Sequence, residues 1–442
     1  MKTLEKGSLK LLNAWAFYDW ANSVYTLTIA SAVFPIFYDA LFSDRDYYLA
    51  VFGLNLKNSA LISFVTATAF LIVAFCSPIL SGVADFIGNK KSFMKFFCYL
   101  GSFSCMGLYW FDLENIYVGL LFYLLGLIGY WGSLVFYNSY LPDIAFPEQQ
   151  DKISAKGFSF GYIGSVLLLM INLGMIMKPA FFGISGSEGE AALKAMRYSF
   201  VMVGIWWILF SQYTYYYLPK GNSKEPKKVS KHILFNGFKE LKKVWVLLQQ
   251  NNPLKRYLGA FFVSSMAVQT VMLVATYFGA QEIAWSSKSE GTIGLIICIL
   301  LIQIVAVFGA FLTSRASEKY GNIPVLIAIN SFWILLCGGA YFITLPFQFY
   351  SMAALVGLVM GGVQSLSRST YSKLLPETQD TATFFSFYDV AEKIGIVIGM
   401  CVYGTIDQYT GSPRLAIVFL ALFFILAVIL LSRIPKTKVL NT

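Results

Sequence analysis

Long apolar runs alternate with short polar breaks along this chain. Leu61 to Ile79, Tyr117 to Val135 and Leu415 to Leu431 each approach the roughly 20 residues that a helix needs to cross a hydrocarbon core of about 30 Å. They are too long for ordinary core helices, and the period-2 alternation of a membrane barrel is missing. Inside lipid no water is present to satisfy backbone polar groups, so helices are the remaining way to span it. Reading the runs between the breaks places spans near 14–38, 60–84, 93–111, 115–141, 157–177 and 197–218. After a longer break, six more fall near 256–280, 291–314, 324–345, 349–374, 383–405 and 413–432. The pattern predicts an all-α membrane protein with twelve transmembrane helices.

Composition agrees with this. Of 442 residues, 57% are hydrophobic and 13% charged, more apolar surface than a soluble fold covers. The net charge of +10 needs no nucleic acid to explain it, because its placement follows membrane topology. With the N-terminus inside, roughly 25 of the 33 Lys and Arg fall on the cytoplasmic side, the bias that sets orientation. Both termini are therefore expected in the cytoplasm, and the membrane is the plasma (inner) membrane if the source is bacterial.

Between the two sets of spans, Pro219 to Pro253 is rich in lysine and carries Leu234, Phe238, Leu241, Trp245 and Leu248 at spacings of four and three. That is an amphipathic helix with a basic opposite face, suited to an anionic leaflet, with protein docking as the alternative. The expected organisation is an N-terminal bundle over 1–218, a cytoplasmic basic linker over 219–253 and a C-terminal bundle over 254–442. All six cysteines lie inside apolar segments without CxxC spacing, and the single histidine, His232, sits in the polar linker. No metal site and no cofactor are expected, and any intramembrane proton carrier has to be a carboxylate.

The halves echo each other in order. Ala84-Asp85-Phe86-Ile87-Gly88-Asn89 after span 2 matches Ser317-Glu318-Lys319-Tyr320-Gly321-Asn322 after span 8. Leu141-Pro142-Asp143 matches Leu375-Pro376-Glu377, and Phe158-Ser159-Phe160 matches Phe385-Ser386-Phe387. Three short matches at equivalent places argue for two six-helix bundles related by a parallel repeat.

Ser81 to Lys91, SGVADFIGNKK, resembles the loop between spans 2 and 3 of major facilitator proteins. Asp85, Gly88, Lys90 and Lys91 match; Phe86 and Asn89 stand where arginines are expected, and the leading glycine is displaced to Gly82. Tyr18-Asp19-Trp20-Ala21-Asn22-Ser23, and GGVQSLSRSTYSKLLP (Gly361 to Pro376) followed by Phe384-Phe385, Tyr388 and Lys393, resemble the "unknown major facilitator" family, which also contains the vacuolar amino-acid effluxer of autophagy. Ala155 to Gly164 and Gln269, Thr270, Phe278 and Gly279 extend the likeness over almost the whole chain. Relatives often carry Asp-Gly early in span 7 and Gly-Pro in span 11. Here Met266-Ala267 and Gly399-Met400 stand there, so no coupling role passes to the first position, and the second implies a straighter span 11. The resemblance implies the major facilitator fold in two pseudo-symmetric bundles, gated by Asp85, Gly88 and Lys90 and by their counterparts Glu318 and Gly321. Asp85 is expected to meet the start of span 11, and Glu318 to make the pseudo-symmetric contact with span 5.

Ionisable groups inside a span cost several kcal/mol unless paired or wet, which makes each a functional candidate. Asp19, Arg368, Asp389, Glu392 and Lys393 are these groups. Asp389 and Lys393 are four residues apart on one helix, so a self-neutralising anchor is the plain alternative. Trp15, Asp19, Asn22 and Thr26 share one stripe of span 1. The resembled architecture lines its cavity with spans 1, 4, 7 and 10, implying that Asn138, Gln269 and Gln364 face it; interhelical packing is the alternative. Tyr213, Tyr215, Tyr216 and Tyr217 suit an interfacial belt. The expected function is secondary active transport of a small polar solute by alternating access, with amino acids the class that the resemblance implies and a proton or sodium as coupling ion. Asp19 would then oppose Arg368 and Lys393 across a zwitterion. A membrane receptor or scaffold and an intramembrane enzyme are the other classes. The enzyme would need a nucleophile and base that the spans do not offer as histidine, and a GxxxxGK[ST] loop for an ATP-driven pump is missing.

Overall fold

The computed structural model describes residues 4–42, 48–51, 54–221 and 233–435. His232 and the lysines of 222–232 lie outside the described residues. Helices form at every expected span: α1 (Leu9–Ala40), α2 (Asn58–Ile87), α3 (Lys90–Gly107), α4 (Ile116–Ser139), α5 (Pro147–Met177) and α6 (Glu188–Tyr217). The linker supplies α7 (Ile233–Gln250), and α8 (Asn252–Glu282), α9 (Lys288–Tyr320), α10 (Asn322–Ala340), α11 (Pro346–Leu374), α12 (Thr381–Thr410) and α13 (Pro413–Ser432) complete the order. Among the described residues, ten helices are long and apolar enough to cross a membrane. α3, with Lys90, Lys91 and Lys95, and α12, with Asp389, Glu392 and Lys393, carry the charge that sets them apart.

Two details were not legible as apolar runs. α1 passes through a π-helical stretch at Tyr25–Ala32, and an antiparallel hairpin, β1 (Tyr48–Val51) with β2 (Leu54–Lys57), joins α1 to α2. α12 runs unbroken past Met400, as a helix without proline should.

Large aromatics fill two cores. Trp15, Tyr18, Phe34, Tyr137 and Trp207 belong to one built mainly from α1–α6, and Tyr257, Trp333, Tyr371 and Phe424 to one built mainly from α8–α13, which also takes in Tyr162 of α5 and Val244 and Leu248 of α7. Outward-facing Phe64, Leu71, Phe75, Phe308 and Leu335 stay exposed, as expected where lipid replaces water. The tyrosine cluster splits: Tyr213 and Tyr216 are exposed, but Tyr215 is buried against Tyr18 and Tyr99.

Both described chain ends lie at one end of the bundle, the terminal end. Lys6 Nζ donates to the Pro142 carbonyl (2.7 Å) and Gly7 N to the Ile144 carbonyl (2.7 Å) at the α4–α5 turn. At the start of α8, Arg256 donates to the Arg433 carbonyl beyond α13 (2.7 Å).

Candidate functional site

Charged side chains join the halves in tiers, beginning at the terminal end. α2 stops at Gly88, whose φ of 71° is left-handed and easy only for glycine, and Asn89 caps α3 by accepting from Ser92 N (3.3 Å). This turn holds Asp85 against the first amides of α12. Asp85 accepts from Thr383 N (2.7 Å), Thr383 Oγ1 (2.7 Å) and Ala382 N (3.3 Å). Those amides have no partner within the helix and carry its positive end, which favours a carboxylate. Lys90 is buried rather than loop-exposed. It pairs with Asp143, donates to the Ser139 carbonyl and Thr381 Oγ1 (2.9 Å each) and lies 4.4 Å from the Tyr140 ring centroid.

The second seam corrects an expectation. Glu318 is exposed and does not receive α5; its neighbour Ser317 does. One residue on a helix turns the side chain by about 100°, enough to move Glu318 off the buried face. The acid comes from α5 instead. Asp151 accepts from Lys373 Nζ (2.8 Å), Ser317 Oγ (2.9 Å) and Asn322 Nδ2 (2.9 Å). Asn322 also donates to Thr370 Oγ1 (3.0 Å) and accepts from Lys373 (3.2 Å). Gly321, at φ 83°, makes the turn between α9 and α10 that presents Asn322. Asp151 precedes the apolar run of span 5, so hydropathy does not mark it. Pro147 at the helix start was the available signal that the helix begins about ten residues earlier.

Deeper, Asp19 on α1 meets Arg368 on α11 (3.3 Å), and Tyr137 Oη donates to the same carboxylate oxygen (2.8 Å). Arg368 is saturated: it also donates to Ser154 Oγ (3.0 Å), the Ser154 carbonyl (3.0 Å) and Asn138 Oδ1 (3.2 Å). Its guanidinium lies 4.2 Å from the Phe158 ring centroid and 4.8 Å from that of Trp15. A Cβ on Gly157 would come within 2.6 Å of Asp19 Oδ2, so this approach requires glycine. Asn22 is buried nearby but accepts from Ser23 Oγ (3.2 Å) rather than joining the pair, and Gln364 accepts from Tyr162 Oη across the halves (2.7 Å).

The deepest group belongs to α12. Lys393 lies about 18 Å along that helix from Thr381, at about 1.5 Å per residue. It pairs with Asp389, stands 3.6 Å from Glu392 Oε2 and lies 4.0 Å from the ring centroid of Trp131 on α4. Gln269 Nε2 donates to Glu392 Oε1 (2.8 Å), while Asp389 Oδ2 is buried with no hydrogen-bond partner. One lysine thus faces two carboxylates, and Glu392 is the most exposed of the three side chains.

The structure therefore unites Asp19, Asn138 and Arg368 in one cluster and Gln269, Asp389 and Lys393 in another, leaving Asn22 and Gln364 outside both. At the opposite end of the second half, Arg414 pairs with Glu282 and donates to the Tyr341 and Ile343 carbonyls (2.8 and 2.6 Å). An apolar cavity inside that half, lined by Val271, Phe278, Cys298, Trp333, Cys337 and Phe349, contains none of these charges.

A family model described as "Vacuole effluxer Atg22 like" matches residues 8–441. The chain is 30% identical over 430 residues to the "Uncharacterized MFS-type transporter YxiO" of Bacillus subtilis, covering 96% of this chain and 94% of that protein. It is 24% identical to "Autophagy-related protein 22-2" of Aspergillus oryzae, over 89% of this chain and 76% of that one. The fold matches FucP, a major facilitator transporter solved in the outward conformation, with a TM-score of 0.70 at 13% identity over 97% of this chain and 99% of FucP. It also matches the proton:xylose symporter XylE, with a TM-score of 0.66 at 16% identity over 98% and 97%.

Proposed function

We propose that this chain, which belongs to the vacuole effluxer Atg22-like family of major facilitator transporters, carries a small amino compound across its membrane by alternating access. It is a multi-pass integral membrane transporter and not an enzyme. The solute class is our reading, and the observation that carries it is the Asp389–Glu392–Lys393 group with Gln269 and Trp131. Two carboxylates around one lysine leave an excess negative charge deep in the membrane, where an unpaired charge costs about 2.5 to 3.5 kcal/mol on insertion scales. A cation offsets that cost, and a solute's ammonium beside Glu392 supplies one. A proton or sodium ion on the same carboxylates is the coupling partner that this donor set admits.

Asp19 and Arg368 have a different part. Because every donor direction of Arg368 is used, the pair is a latch between the halves that must break when the terminal end opens. We place that end, and both termini, in the cytoplasm on the lysine and arginine bias, in the inner membrane if the cell is bacterial. The closed terminal end then corresponds to an outward-facing state.

The test is counterflow of radiolabelled amino acids in proteoliposomes, with thermal unfolding measured beside it. Glu392→Gln should lose uptake while its unfolding temperature stays near that of the parent. Wild-type uptake by Glu392→Gln would overturn the site. Absence of counterflow by the parent with any amino acid would overturn the solute class.

A further inference from the structure

The stripe of Leu234, Phe238, Leu241, Trp245 and Leu248 predicts that α7 lies on the membrane. It does something more specific. Gly237, Val244 and Leu248 form its buried face, which crosses α2 and reaches α12. The crossing is close: a Cβ on Gly82 would lie 2.4 Å from the Gly237 carbonyl oxygen, and one on Gly237 would lie 2.8 Å from Val83 Cγ2. On the other side, Lys243 pairs with Asp380 just before α12 (2.6 Å), and Trp245 lies 5.5 Å from Phe387 between ring centroids. α2 belongs to the first half and α12 to the second. α7 is therefore a strap over the seam that Asp85 closes, and it can hold both walls only while they are together.

The outward side of the strap has a definite chemistry. Phe238 and Trp245, two turns apart on one flank, are 50% and 48% exposed, and Lys239 and Lys242 follow round the helix into the open. Burial alone would lower the Lys243 pKa, but Asp380 and then Glu240 outweigh it and raise it, so this lysine stays charged. Position along the neighbouring spans favours lipid over water as the occupant of this face. Gly237 packs on Ile79 and Val83, and Ile79 lies about 12 Å inside the end of α2; Trp245 packs on Phe387, about 9 Å inside the start of α12. An aromatic flank and a lysine face at that level match a helix sunk about 5–10 Å into the boundary between headgroups and acyl chains.

We propose that the outer face of α7 docks on anionic membrane lipid, and that this docking holds the strap across α2 and α12 and so favours the closed terminal end. Anionic headgroups attract juxtamembrane lysines, and that attraction is lost with the lysines. The proposal rests on the fold and is independent of which solute is carried.

Spin labels at Lys152→Cys and Lys319→Cys, both exposed and on the other seam, report opening without touching α7. Cys401 and Cys76, the less buried native cysteines, are replaced by serine. The distance is measured in vesicles of phosphatidylcholine with and without phosphatidylglycerol. Phosphatidylglycerol should raise the closed-to-open ratio of the parent by about twofold or more. K239Q/K242Q should remove that response while keeping the parent's ratio in phosphatidylcholine, and Gly237→Val, which forces the strap off α2, should lower the ratio in both lipids. An unchanged or reversed lipid response in the parent would overturn the proposal and leave this face to a soluble protein partner. A full lipid response in K239Q/K242Q would overturn the assignment to these lysines.

Discussion

The two seams that close the terminal end each set a carboxylate of the first half against the second, and they hold it in different ways. Asp85 is half-buried and accepts from the amides and a hydroxyl at the start of α12. Asp151 is buried with a full counter-charge, and the side chains of Asp151 and Lys373 are 5% and 2% exposed. A carboxylate at a helix start is worth about 0.3 to 1 kcal/mol, up to about 2 when partly buried. Stranding one member of a buried pair costs about 3 to 5 kcal/mol. That cost falls on the closed state, since opening the seam readmits water. The first seam is thus a light, adjustable contact, and the second is close to all-or-none. Repetition of the bundles has preserved the helix ends at both places but not the chemistry.

The comparison breaks most sharply at Lys373. Lys373→Met leaves Asp151 unpaired in the closed state and should shift the equilibrium toward the open terminal end by about 3 to 5 kcal/mol, read as a longer spin-label distance across that end. Adding Asp151→Asn should recover much of the shift, and a double-mutant cycle without such recovery would refute the pairing.

Between the seams, Gly157→Ala pushes a methyl group into the Asp19–Arg368 contact. A loss of about 1 to 3 kcal/mol is expected, read as a lower unfolding temperature of the closed protein. Asp19→Asn in the Gly157→Ala background should add less than it does alone, because the same contact is already disturbed.

Asp85→Asn removes the charge but keeps one acceptor for the α12 amides. It should favour opening by about 0.3 to 2 kcal/mol, less than Lys373→Met by the same distance measurement. If Asp85→Asn opens the protein more than Lys373→Met, the ranking of the seams is wrong. The smallest effect belongs to Glu318→Gln, an exposed change expected to stay within about 0.5 kcal/mol in both unfolding and opening. A shift as large as that of Asp85→Asn would restore Glu318 to the gate.

Much of this molecule was legible before its fold was known. A helix forms at each expected position, and ten of these are long and apolar enough among the described residues to cross a membrane, because the requirement that lipid-buried backbone satisfy itself acts on each apolar run separately. Asp19, Arg368, Asp389, Glu392 and Lys393 stood out for a similar reason: the cost of a charge within a span depends on its own depth. The contact between Asp85 and the start of α12 came from the family resemblance, since local marks show an acid past one span and free amides at another but not that the two meet.

Partnership was decided only by the tertiary structure. Asp19 and Arg368 are 349 residues apart in sequence, and their pairing depends on the rotation of α1 against α11 to within a few ångströms. A turn of about 100° separates Ser317, which meets Asp151, from Glu318, which does not. The face that α7 buries takes Leu248 from the hydrophobic stripe but turns away from Phe238 and Trp245 toward Gly237, where the missing side chain lets two backbones approach. Hydropathy registers what one residue costs at its depth, whereas an ion pair, a close crossing or a latch depends on where a second helix has come to lie.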